Sequence, residues 1–102
     1  MLNEKIMLKV STLFKVLSDP TRIKIIYLLK DNELSVNEIK DNLNMTQSAI
    51  SHQLRVLKDT NLVRYERSGK NVIYKLADNH VYEIFNQAIE HVCEGDNKNE
   101  WK

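Results

Sequence analysis

The stretch that decides the fold is Thr46-Gln47-Ser48-Ala49-Ile50-Ser51-His52-Gln53-Leu54-Arg55-Val56-Leu57. Ile50, Leu54 and Leu57 recur at helical spacing, and Thr46 is a good N-cap. We therefore predict a helix from residue 47 to about residue 60 that buries these three side chains. Its other face is polar and begins with small side chains, so it is free to meet solvent or a ligand.

A shorter helix is predicted just before this one. Ser35-Val36-Asn37-Glu38 has the S-x-x-E form of a capping box, and Val36, Ile39 and Leu43 fall on one face. The connection to the next helix is tight and lacks glycine, so we expect Asn44 to adopt the left-handed conformation. Two short helices joined in this way predict a helix-turn-helix.

The apolar period changes to two after the second helix, which predicts two strands. Leu62 to Glu66 and Val72 to Leu76 alternate in polarity on either side of Ser68-Gly69-Lys70-Asn71. This pattern is typical of a β-hairpin with a basic tip. The helix pair and the hairpin together predict a winged helix-turn-helix, a fold that is mainly α with a β-hairpin.

Three further helices complete a single predicted domain over residues 1–102. They cover residues 4–17, residues 20–29 with Asp19 as N-cap, and residues 80–94, followed by a polar tail from Gly95. The second of them is apolar nearly all round, so we expect it to be a buried central helix. Trp101 in the tail suggests no role.

Charge is distributed unevenly, although the net charge is only +1. Residues 52–75 hold six basic and two acidic residues, whereas residues 76–102 hold two basic and six acidic ones. This pattern favours a phosphate-binding segment followed by one that meets cations or a partner chain. No apolar run approaches a membrane span, and the N-terminus lacks a signal-peptide core, so we expect a cytoplasmic protein.

Polar and basic side chains of the second helix and the hairpin are the predicted DNA contacts. Glutamine can pair with adenine, arginine with guanine or phosphate, and small hydroxyl side chains allow close approach. The basic hairpin tip can reach the minor groove or the backbone of flanking DNA. The predicted contacts are Gln47, Ser48, Ser51, His52, Arg55, Arg67 and Lys70.

Four potential metal ligands lie at the two ends of the last predicted helix: Asp78 and His80, then His91 and Glu94. At about 1.5 Å per residue the two histidines share a face but lie roughly 16 Å apart, which is too far for one zinc ion. A shared site would need an antiparallel copy of the helix. The other interpretation is that Asp78 caps the helix and Glu94 is solvated.

Residues 18–22, residues 47–57, Leu62-Val63 and the hairpin around Gly69 resemble the ArsR/SmtB family of bacterial metal-sensing repressors. The resemblance implies a homodimer with the first and last helices at its interface. It also implies that the metal-free dimer binds an inverted-repeat operator, and that metal weakens this binding and derepresses efflux or resistance genes.

The resemblance further implies zinc as the metal. Residues 33–39 lack the cysteines of the family's thiolate sites, whereas Asp78, His80, His91 and Glu94 match its other site. Tetrahedral nitrogen and oxygen ligands suit zinc, with cobalt as a surrogate. Cys93 is expected to be a buried or interface thiol rather than a ligand.

Two other functions stay open. The chain can be a winged-helix regulator that is not controlled by metal, or, less in keeping with the pattern, a zinc hydrolase. A hydrolase needs an open coordination position and a catalytic motif such as H-E-x-x-H, and the sequence has no such motif. We therefore expect a regulator and not an enzyme.

Overall fold

The computed structural model describes residues 2–97, in which five helices and three strands follow one another. None of the described helices is long and apolar enough to cross a membrane. The predicted class, mainly α with a β-hairpin, is confirmed. The elements are α1 Glu4–Leu17, α2 Pro20–Leu29, β1 Leu34–Ser35, α3 Val36–Leu43, α4 Gln47–Asp59, β2 Val63–Ser68, β3 Asn71–Leu76 and α5 Asn79–Asn97.

Side chains that accept hydrogen bonds from backbone N–H groups fix the helix starts. Asp19, Ser35 and Thr46 each accept from the residue three positions on, at 3.0, 3.2 and 3.2 Å. Glu38 completes the capping box by accepting from the N–H of Ser35 at 2.8 Å. These predicted caps are confirmed. Asn3 caps α1 in the same way at 2.9 Å and was not predicted.

Two asparagines in the left-handed conformation end the helices of the helix-turn-helix. Asn44 has φ 55° and ψ 50° and donates its N–H to the carbonyl of Lys40, as predicted for the glycine-free turn. Asn61, with φ 61°, follows α4 and leads into β2. Asparagine tolerates this conformation better than most residues do.

The hairpin is part of a three-stranded antiparallel sheet of order β1-β3-β2. Its loop is only Gly69 and Lys70, shorter than the segment between the two predicted strands, and Gly69 has φ +62°. Strand β1 pairs with the other edge of β3, with Leu34 opposite Tyr74. A two-residue strand carries no periodic signal, so the sequence did not predict it.

The core lies between α2, α3, α4 and the start of β2. Its most deeply buried side chains are Ile25, Ile26, Ile39, Ile50, Leu54, Leu57, Leu62 and Val63. The prediction that α2 is buried all round is wrong, because Ile23 is 38% and Tyr27 is 58% exposed. Helices α1 and α5 do not close over this side of α2, and an apolar groove stays open there.

Helix α5 runs to Asn97, three residues beyond its predicted end. The expectation that the helix stops before Gly95 is therefore wrong. A glycine within a helix costs only about 1 kcal/mol relative to alanine, which does not end a long helix. Trp101 lies outside the described residues.

Candidate nucleic-acid interface and metal-ligand pairs

Helix α4 has two contrasting faces. Ile50, Leu54 and Leu57 are fully buried against the core. The five side chains of α4 that are predicted to contact DNA are all exposed: Gln47, Ser48, Ser51, His52 and Arg55. At about 100° per residue these five span an arc of roughly 140° around the helix. Such a polar face has the size and the hydrogen-bonding groups that the major groove of DNA accepts.

The hairpin brings its basic tip beside the start of α4. Arg67 and Lys70 are exposed. Lys70 and Gln47 line one hollow of about 190 Å³, to which α3 contributes Asn37 and β3 contributes Asn71. Neither asparagine was predicted as a contact, since they become neighbours only through the register of the sheet. The tertiary structure thus joins the two predicted DNA-contacting elements into one polar surface.

One basic side chain of the hairpin is paired. Nζ of Lys75 lies 2.7 Å from Oε1 of Glu66, and this hydrogen bond lowers the pKa of Glu66 and raises the pKa of Lys75. Among the described residues, no carboxylate pairs with Arg67 or Lys70. The positive charge near the tip is therefore available to phosphate groups.

Asp78 uses its two carboxylate oxygens differently. Oδ1 accepts a hydrogen bond from the N–H of Val81 at 3.1 Å and so caps α5, while Oδ2 lies 3.6 Å from Nδ1 of His80. The bond from Val81, and then the nearby imidazole, lower the pKa of Asp78. The side chains of Asp78 and His80 are 51% and 86% exposed. The cap and the ligand pair are compatible, because each uses its own oxygen.

The second predicted pair, His91 and Glu94, is exposed on the same helix. Eleven residues separate the two histidines, which is about 16 Å of helical rise. Among the described residues, no three His, Cys, Asp or Glu side chains lie together closely enough to hold a metal ion. One chain brings Asp78 and His80 together but keeps the two pairs apart. Cys93 is exposed, so of the two expected positions, buried or at an interface, the first is excluded for the single chain and the second stays a prediction.

An apolar groove of about 320 Å³ lies between α1, α2 and α5. Phe14 and Ile84 line it and are 58% and 41% exposed, and Val92 further along α5 is 54% exposed. The rings of Tyr27 and Phe85, whose centroids are 6.2 Å apart, continue the apolar surface. Contiguous exposed apolar side chains of this kind are typical of surfaces that bind a protein, a membrane or an apolar ligand.

Comparison with known proteins places these features in a family. Residues 19–65 match the family described as bacterial regulatory protein, arsR family. The transcriptional repressor SmtB homolog of Synechocystis is 41% identical over 83 residues, which are 81% of this chain and 63% of that protein. The chain thus spans less than two thirds of this relative.

Two further matches add detail. The cadmium resistance transcriptional regulatory protein CadC homolog of Staphylococcus aureus is 39% identical over 80% of this chain and 69% of its own length. Among solved structures, a homodimeric winged helix-turn-helix DNA-binding domain from Mycobacterium bovis, described as a possible ArsR-family transcriptional regulator, superimposes with a TM-score of 0.79. It is 27% identical and the match covers 93% of this chain and 89% of that one. The winged helix-turn-helix prediction is confirmed by this likeness.

Proposed function

Because the chain belongs to the arsR family of bacterial regulatory proteins, we propose that it is a transcriptional repressor that responds to a metal ion, and more narrowly to zinc. The observation that carries the metal response is the pair at the start of α5. There the cap holds one oxygen of Asp78 and leaves the other facing His80 at 3.6 Å. The chain is a regulator and not an enzyme, since its relatives are transcriptional regulators.

The proposed partner of the metal-free protein is double-stranded operator DNA. The exposed face of α4 supplies base-reading side chains, and the tip of the hairpin supplies unpaired positive charge next to it. A dimer of such units reads two half-sites related by a two-fold axis, so the proposed operator is an inverted repeat. The fixed distance between half-sites makes affinity depend on how the two copies are arranged.

The proposed dimer interface is the apolar surface of α1, α2 and α5. It leaves Phe14, Tyr27 and Val92 more than half exposed in one chain. A second copy is the occupant that fits best, because the Mycobacterium bovis domain of the same fold is homodimeric. This interface is the one predicted from the sequence, with α2 added to it.

The proposed metal sites need both copies. Asp78 and His80 of one chain combine with His91 and Glu94 of the other, which gives each site two imidazole nitrogens and two carboxylates. This donor set fits zinc in a closed site and accepts cobalt as a surrogate. When bound, zinc supplies a strong bond between the two chains and no catalytic chemistry. Each pair alone offers too few ligands to do so.

In the proposed switch, metal binding favours one relative orientation of the two α5 helices and so changes the spacing of the two α4 helices. A dimer with the wrong spacing binds its operator less tightly and transcription resumes. By linkage, DNA must weaken metal binding by the same factor, typically about 5- to 150-fold. The outcome is derepression of metal efflux or resistance genes.

The deciding experiment measures operator affinity with and without zinc. An inverted-repeat duplex, selected by the protein from random DNA in the presence of a chelator, is labelled for fluorescence anisotropy. We expect saturating zinc to raise the dissociation constant at least fivefold and EDTA to restore it. Cobalt, nickel and cadmium are titrated in parallel to test the choice of metal.

Two results would contradict the proposal at different levels. Tight operator binding that no metal changes would leave a winged-helix regulator with another inducer. A response to cadmium or nickel that exceeds the response to zinc would keep the metal sensor and reject zinc. The ligand variants described in the Discussion serve as matched controls.

A further inference from the structure

Helix α2 is joined to the recognition helix α4 by a hydrogen bond between side chains. Nε of Arg22 donates to Oε1 of Gln53 at 2.7 Å, across 31 residues of sequence. Both side chains are half-buried. A short bond shielded from water in this way is directional and is not easily replaced by solvent.

Gln53 does not belong to the face of α4 that is predicted to meet DNA. At about 100° per residue it lies roughly 160° around the helix from Arg55 and about 100° from His52. Its neighbours around the helix are Ile50 and Leu57, which are fully buried. Gln53 therefore sits at the edge of the buried face, where it can hold the helix without reading a base.

Arg22 is itself held firmly. Its backbone N–H donates to Oδ2 of Asp19 at 3.0 Å in the cap of α2. Ile25 and Ile26, one turn further along α2, are fully buried in the core. The guanidinium group therefore extends from a fixed part of the structure, and the position of Gln53 is set relative to that part.

Apolar packing and the hydrogen bond constrain α4 in different ways. Burial of Ile50, Leu54 and Leu57 favours one side of the helix, but apolar attraction is non-directional and tolerates a rotation of several degrees. The hydrogen bond tolerates less, because it weakens steeply away from linearity. The bond at Gln53 is therefore suited to fix the rotation of α4 about its own axis.

We propose that Arg22 is a positioning residue for operator recognition, which acts through Gln53 to orient the base-reading face of α4. This rests on the proposed function, since it presumes that α4 reads DNA. Hydrogen bonds to base edges depend on the rotation of the helix, whereas phosphate contacts tolerate a small error. Loss of the bond therefore lowers the preference for operator over random DNA more than it lowers DNA binding itself.

The test compares dissociation constants for the selected operator and for a scrambled duplex of the same length, by fluorescence anisotropy without metal. Arg22→Met and Gln53→Met each remove one partner and keep an apolar stem of similar length. We expect both to reduce the ratio of the two constants about tenfold, the size of one lost base contact. The double variant should lose no more than either single variant.

Two controls separate positioning from loss of charge or of packing. Lys15→Met removes one positive charge from an exposed position in the last turn of α1, and it should weaken binding to both duplexes equally and keep the ratio. Gln53→Glu retains the acceptor for Nε of Arg22. It should keep most of the ratio, although its negative charge weakens binding to both duplexes.

Each outcome bears on the proposal. An unchanged ratio in Gln53→Met, with folding verified by circular dichroism, would overturn it, and this variant serves if Arg22→Met fails to fold. A ratio lost in Gln53→Met but kept in a folded Arg22→Met would show that Gln53 reads DNA directly, which also overturns it. If the wild-type protein shows no preference for any sequence, the proposed function fails instead.

Discussion

Helices α4 and α5 are both amphipathic, but a single chain completes only one of them. Helix α4 buries Ile50, Leu54 and Leu57 fully, whereas α5 leaves Ile84 at 41% and Val92 at 54% exposure. The polar face of α4 joins the hairpin in one surface, while the two predicted metal-ligand pairs lie three helical turns apart along α5. The helix that is proposed to read DNA is thus complete within one chain, whereas the helix that is proposed to bind metal would be completed by a second copy.

Under the proposed function, this difference allows one small domain to be both a rigid DNA reader and a metal-dependent switch. Rigidity comes from a core that every copy builds for itself. In the proposed switch, sensitivity comes from the interface between two copies, whose arrangement a ligand that contacts both copies can bias. The following predictions, from the largest expected effect to the smallest, test whether α4 serves DNA binding while α5 serves dimerisation and the metal response.

The buried side chains of α4 should be needed both for folding and for operator binding. Leu54→Ala removes a fully buried side chain, and we expect it to lower the free energy of unfolding by about 2–5 kcal/mol. Operator binding should fall with the folded fraction. Urea denaturation followed by circular dichroism measures the effect. Val92→Ala on α5 is the contrasting variant and should change the unfolding of a dissociated chain very little, so equal losses would remove the distinction.

The apolar face should be needed for the dimer but not for the fold. Phe14→Glu places a charge on the open groove, and we expect a folded monomer whose operator affinity is about 100-fold lower, since two linked half-site contacts become independent. Sedimentation velocity reports the mass and circular dichroism the helix content. Lys5→Gln, on the same helix but at a side chain that is polar in the wild type, changes the net charge by the same one unit and controls for it. A Phe14→Glu dimer of unchanged stability would place the interface elsewhere.

Ligand variants should abolish the metal response and spare DNA binding. Asp78→Asn removes the carboxylate that is proposed to bind metal. The cap of α5 should survive, because asparagine keeps a side-chain oxygen and is about as good an N-cap as aspartate. We expect Asp78→Asn and His91→Ala to bind operator with dissociation constants within about twofold of wild type. Both variants should lose the zinc-induced weakening of operator binding, which we expect to be roughly 5- to 150-fold in the wild type. Anisotropy with and without zinc measures both quantities.

Asp78→Ala is the matched comparison for Asp78→Asn. It should lose the zinc response and also lower the thermal midpoint, because the cap of α5 is gone. Zinc sensitivity retained in Asp78→Asn would remove this carboxylate from the proposed site while leaving its role as a cap intact.

The smallest predicted effect is a pH dependence of the cap. The pKa of Asp78 is lowered in the folded chain, chiefly by the N–H of Val81. The carboxylate therefore contributes stability above its unfolded pKa, and this contribution is lost as pH falls through the lower folded value. The amide resonance of Val81 should titrate in this range below about pH 4. Asp78→Asn should abolish that titration, and its persistence would assign it to another group.

The sequence predicted most of the elements whose contacts are local, although it missed the cap at Asn3 and the end of α5. The caps at Asp19, Ser35 and Thr46 each join residues three apart. The left-handed Asn44 follows from a tight turn that lacks glycine. The polar exposed side and the buried side of α4 follow from its helical period, and Ile50, Leu54 and Leu57 are buried as predicted. All of these were correct because the interacting groups are close in the chain, and the order of the residues nearly fixes their geometry.

The sequence failed where the partner is distant. Helix α2 is apolar nearly all round, yet Tyr27 is 58% exposed, because only the final packing of α1 and α5 decides which sides are covered. Strand β1 forms only because it pairs with β3, where Leu34 lies opposite Tyr74, 40 residues further along the chain. Asn37 and Asn71 meet at one hollow for the same reason.

The sequence by itself determined the order of the helices, the caps at Asp19, Ser35 and Thr46, the hairpin, and the separation of the two proposed ligand pairs. Only the tertiary structure decided that Oδ1 of Asp78 caps α5 while Oδ2 faces His80, and that Arg22 bonds Gln53. The physical reason is that a sequence pattern records which groups can bond, whereas the direction of each bond depends on where packing places both partners.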